Sequence, residues 1–92
     1  MSAVQIALPE TLDLRAVQPL RDQLMAARGA AAELDGSAVR RLGALGLQVL
    51  LAAERQWRAD GQALRLTDPS PDLVAGLKLL GVAEPQTFLT GA

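Results

Sequence analysis

The side chains that most often do chemistry are scarce in this chain. It contains no His, Cys or Tyr, and Lys78 is its single lysine. The commonest general acid–base group is therefore missing, together with two of the usual nucleophiles. Carboxylates remain, but no sequence spacing pairs two of them convincingly. Asp13 with Asp22, and Asp68 with Asp72, read as helix caps or solvated surface groups. No Gly-x-x-x-x-Gly-Lys-Ser/Thr loop is present to cradle a phosphate. Without cysteine, disulfides and thiolate metal sites are excluded. The expectation is a protein with no catalytic residues, metal or cofactor, one that acts by binding.

Nine basic and ten acidic side chains leave a net charge of -1, too balanced for a surface that neutralises nucleic-acid phosphates. Trp57 and Phe88, the only aromatic residues, lie too far apart in sequence to suggest a stacking platform. Nucleic acid is not expected as a partner. No run of about eighteen apolar residues spans a membrane, and the N-terminus lacks the basic start and long apolar stretch of a signal peptide. A cytoplasmic protein without membrane insertion is expected. Ninety-two residues make one domain, 1–92, with a single core.

The elements that must position any binding face follow from periodicity. Val4 to Leu8 alternates as a strand that Pro9 stops, and Thr11 to Leu14 alternates again, so a hairpin about Pro9-Glu10 is expected. Ala16, Leu20, Leu24 and Ala27 share one stripe of a helix over Ala16 to Arg28, with Pro19 in its first turn and Gly29 as its cap. Ala30 to Leu34 is short and rich in alanine; by itself it reads equally as helix or strand. A second helix runs from Ala44 to Asp60, with Gly43 as N-cap and Gly61 at its end. Gln62 to Thr67 alternates as a strand. Ser70-Pro71-Asp72 opens a third helix, with a hydroxyl cap, a proline at the first position and an acid in the first turn. Its expected buried stripe is Leu73, Val74, Leu77 and Leu80. Val82 to Ala92 is a final edge strand or tail. Strands alternating with helices imply an α/β fold with right-handed crossovers, parallel after the first hairpin.

Within this order, Leu34-Asp35-x-Ser37-x-Val39-x-x-Leu42-Gly43-Ala44-Leu45-Gly46-Leu47 resembles the signature of the STAS domain, the anti-sigma-factor antagonist family. That signature reads Leu-Asp-Leu-Ser-x-Val-x-x-Ile-Asp-Ser-Ser-Gly-Leu, and the first Ser or Thr after its second Asp is the regulatory phosphorylation site. Here that Asp position is Gly43 and the acceptor position is Ala44. The resemblance covers Val4 to Val82 and implies a single STAS-like domain, a mixed sheet of four to five strands covered by three helices. It makes the Ala30–Leu34 segment a strand. It also implies a module that binds a partner and has lost its switch. The Arg40-Arg41-Leu42-Gly43-x-Leu45-x-Leu47-Gln48-Val49-Leu50-Leu51 run, Trp57-Arg58-Ala59-Asp60-Gly61 and Asp68-Pro69-Ser70-Pro71 are most similar to small stand-alone STAS proteins of chemotaxis operons, which implies a signalling kinase as partner. Two other readings stay open: a STAS subunit of an ABC-type lipid-transport complex, and an antagonist with a displaced acceptor at Ser37.

A helical wheel over the second helix places Leu45, Gly46, Val49, Leu50, Ala53 and Trp57 on the arc expected to cover the sheet. Leu47 and Leu51, spaced i, i+4, fall outside it, beside Glu54 and Arg58, and form a candidate exposed patch. Family members bind partners through this helix and the loop before it. The expected partner-binding set is therefore Arg40, Arg41, Ala44, Leu47, Gln48 and Leu51, with a weak homodimer as a further possibility.

Overall fold

The computed structural model describes residues 3–85 together with 88 and 89. The elements run β1 (Val4–Ala7), β2 (Thr11–Leu12), α1 (Leu14–Ala26), β3 (Ala32–Asp35), β4 (Arg41–Leu42), α2 (Ala44–Ala59), β5 (Leu64–Thr67) and α3 (Pro71–Leu79). The α/β class and the three helices are as expected, and Ala32–Asp35 is a strand.

All three strand pairings are parallel. One sheet has the order β1-β3-β5, and β2 with β4 forms a separate two-stranded ladder. The expected hairpin between β1 and β2 does not form, and among the described residues no strand pairs antiparallel to make a mixed sheet. Leu8, Pro9 and Glu10 supply none of the Gly or Asn residues that a tight hairpin turn needs. Instead the Leu8 N–H donates to the Asp35 carbonyl, extending the β1–β3 ladder, and Pro9 turns the chain towards β4.

α1 begins two residues earlier than its periodicity implied, because Asp13 caps it: the carboxylate accepts from the Arg15 N–H at 3.0 Å. Pro19 therefore sits in the second turn rather than the first. The hydrogen bond it removes lies on the exposed face of the helix, where the freed carbonyl is open to solvent.

Ile6, Leu34 and Leu66 align across the sheet. Leu20 and Leu24 of α1, Leu50 and Trp57 of α2, and Leu73 and Leu77 of α3 close over the buried Ile6, Leu34 and Leu64. Of the stripe expected on α3, Val74 is half-buried and Leu80 is exposed, because Leu80 already belongs to the cap. The Trp57 indole N–H donates to the Ala30 carbonyl at 2.8 Å, fixing the ring against the start of β3. Of the last segment, the Leu89 carbonyl accepts from the Leu66 N–H and so backs onto β5; residues 86, 87 and 90–92 lie outside the described residues.

Candidate partner-binding face

The loop from β3 to α2 is held at every step. The Asp35 carboxylate accepts from the Ser37 N–H at 2.9 Å. That bond, with the Ser37 side chain beside it, holds the Asp35 carboxyl below the usual carboxylate range. Val39 is buried, and its carbonyl accepts from the Ser70 hydroxyl, which also caps α3 by accepting from the Leu73 N–H. The Arg40 and Arg41 N–H groups both donate to the Glu10 carbonyl. β4 then passes directly into α2 through Gly43.

At this junction the two longer helices start side by side. The Gly43 N–H donates to the Leu12 carbonyl at 2.9 Å. A Cβ on Gly46 would lie 2.6 Å from that same oxygen, so only glycine lets α2 seat on β2. α1 has its Asp13 cap, whereas Gly43 gives α2 no side-chain cap and no acid follows in its first turn.

Of the residues expected to bind a partner, Arg40, Arg41, Ala44 and Gln48 are exposed along this loop and the first turns of α2. The Arg40 guanidinium lies 3.7 Å from Glu10 in a fully solvated setting, an ion pair too exposed to stabilise much. The apolar patch is not where the wheel put it. Leu47 is 8% exposed and belongs to the core, and Leu51 is half-buried against that core. Leu45, placed on the core arc, is 45% exposed. Leu47 and Leu51 are interleaved with Glu54, Arg55 and Arg58 on the wheel, so the pattern assigned them to the polar side although the buried arc of α2 extends to Leu47. The contact of Gly46 with Leu12 fixes the rotation and turns Leu47 inward.

Two residues that sequence reasoning missed join the face. Leu45 replaces Leu47 as its apolar element. Leu14, 73% exposed at the first residue of α1, adds a second; an Asp before an apolar-periodic run was the signal that α1 starts there. The face therefore carries exposed leucines among Arg40, Arg41, Ala44 and Gln48, with no hydroxyl at residues 43 or 44.

A family model described as "Mlab, STAS domain" matches residues 1–90. The chain belongs to the STAS domain family. Neither a curated protein nor a solved structure gives a significant match. Within this STAS domain the described residues include no cluster of acidic groups able to hold a metal ion. No described helix is long and apolar enough to cross a membrane.

Proposed function

We propose that this STAS domain is a non-enzymatic binding module that docks a protein partner on the exposed start of α2 and stays permanently competent to do so. The observation that carries the reading is the exposure of Ala44 beside Leu45: the position where relatives take phosphate lies on the accessible surface and has no hydroxyl. Phosphate there would add about -1.5 to -2 charges at the contact; alanine forecloses that control. Regulation then rests with the partner or with expression. The partner we propose is a cytoplasmic signalling kinase, in line with the chemotaxis-like wording of the sequence.

A second reading, docking within an ABC-type lipid-transport complex, is favoured by the description of the matching family model, which is Mlab rather than a sigma-factor antagonist. The displaced acceptor has less support. Ser37 is exposed, but its N–H is engaged with Asp35, and a phosphate on its hydroxyl would crowd that carboxylate.

Pull-down from native extract, with mass spectrometry of the captured proteins, separates the readings. Capture of a histidine kinase by the wild-type chain, lost in Leu45→Arg, supports the first; capture of an ATPase together with a permease supports the second. Equal capture by a folded Leu45→Arg variant would move the docking face elsewhere.

A further inference from the structure

Between α1 and α2 lies an open slot of about 460 Å³ that runs along the helices from Leu45 to Trp57. Its walls are two stripes at helical spacing: Val17, Arg21, Leu24 and Met25 from α1 face Leu45, Val49, Ala52 and Ala53 from α2, and Trp57 lies at its far end. Its volume is within the range of small-molecule sites, roughly 300–1,000 Å³. The stripes run for three turns, about 16–18 Å at 1.5 Å per residue. α1 and α2 are packed against each other, so the slot is a crease along the line where the two helices meet. Its shape suits a slim, extended, apolar ligand.

Charge selects the end group. No carboxylate lines the slot, and its two cations differ. Arg28 is engaged with Asp60 through two hydrogen bonds of 3.2 Å. Arg21 has no ion pair among the described residues. One uncommitted guanidinium above an apolar trough, in a protein that is net acidic, calls for a single anionic group attached to a hydrocarbon chain.

We propose that the α1–α2 slot binds a single-chain anionic amphiphile, with its carboxylate on Arg21 and its chain along Leu24, Val49 and Ala53 towards Trp57. The slot shares Leu45 and Gln48 with the partner face, but the contacts proposed for the carboxylate and the chain, at Arg21, Leu24, Val49 and Ala53, lie outside that face.

Trp57, the only tryptophan, reports occupancy directly. Titration with decanoate below its micellar concentration should change Trp57 emission saturably, with circular dichroism unchanged. Arg21→Gln should weaken decanoate about two- to fivefold, the range for an exposed ion pair, while leaving decanol unaffected. Ala52→Phe replaces a small exposed wall residue and should weaken both at least about tenfold. Should that variant fail to fold, Val17→Phe blocks the opposite wall and carries the same expectation. Decyltrimethylammonium should bind more weakly than decanoate to the wild-type chain. No saturable response to decanoate, an equal response from all three amphiphiles, or an unchanged response in a folded slot-filling variant would each overturn the proposal. So would a dimer, or capture of an acidic helical peptide, that occupies the slot while decanoate does not.

Discussion

Gly46 of α2 meets the backbone of Leu12 so closely that a Cβ would stand 2.6 Å from the Leu12 carbonyl oxygen and 2.8 Å from its Cβ. The obstructing atoms belong to backbone and the base of a side chain, so neither moves aside cheaply. Gly46→Ala should destabilise the domain by about 1–3 kcal/mol through overpacking, although alanine is the better helix former by about 1 kcal/mol. Thermal melts should show a fall of several degrees, about 4–8 °C per kcal/mol at this size. An increase in melting temperature would mean that α2 seats further from β2.

Leu45 and Leu47 make a sharper test of helix rotation, because they are two residues apart and differ in burial. Leu47→Arg places an unpaired charge in the core and should cost several kcal/mol. Leu45→Arg should change stability by within about 0.5 kcal/mol. Melts of the two variants give this order directly, and the reverse order would restore the wheel's orientation.

Ala44→Asp should keep the fold while disabling the partner face. An acid at the first residue of α2 stands where the helix dipole favours negative charge, on a terminus with no side-chain cap. The expected melting temperature is equal to or slightly above wild type, with partner capture lost. Capture unchanged in the folded variant would separate the partner contact from position 44.

Acid should weaken the fold through two named carboxylates. Arg28 hydrogen bonding holds Asp60 below the usual carboxylate range, and the Ser37 N–H does the same for Asp35. A depressed folded pKa means that the unfolded chain takes up protons first. Their stabilisation is present above the ordinary carboxylate pKa and is lost as pH falls through the depressed folded values. Asp35→Asn and Asp60→Asn should each flatten the decline of melting temperature across that acidic window, and a slope identical to wild type would remove the residue concerned from the linkage.

Leu24→Ala tests the α1 face. Leu24 is 5% exposed in the main core, and its truncation should cost about 2–5 kcal/mol, measured by denaturant unfolding.

The sequence made the long elements legible where one face was apolar and the other polar. The α1 stripe through Leu20 and Leu24, and the Leu73 and Leu77 positions of α3, are buried as their spacing implied. β4 is two residues long, too short for any period to register, and β2 was read as the second arm of a hairpin, so the second ladder had no signal. The face of α2 failed for a different reason, the charged residues interleaved with Leu47 and Leu51 on the wheel. What fixed its rotation was a single absent Cβ at Gly46, whose effect depends on Leu12, distant in sequence. At the candidate site, the loop arginines and Ala44 were found from the family pattern, while Leu14 was hidden by reading it as the end of a strand.

The pairing of the strands also dictates how the chain must fold. Val4 meets Ala32, Thr11 meets Arg41, and Ala32 meets Leu64, separations of 28, 30 and 32 residues. Among the described residues no hairpin offers an early, local pair. Each ladder must close a loop about thirty residues long, and that closure entropy is lost before its hydrogen bonds form. α1 and α2 are the segments able to form locally and shorten those loops. The sheet must await its helices, so substitutions that weaken the α1–α2 contact should slow refolding, whereas those in β5 should chiefly speed unfolding.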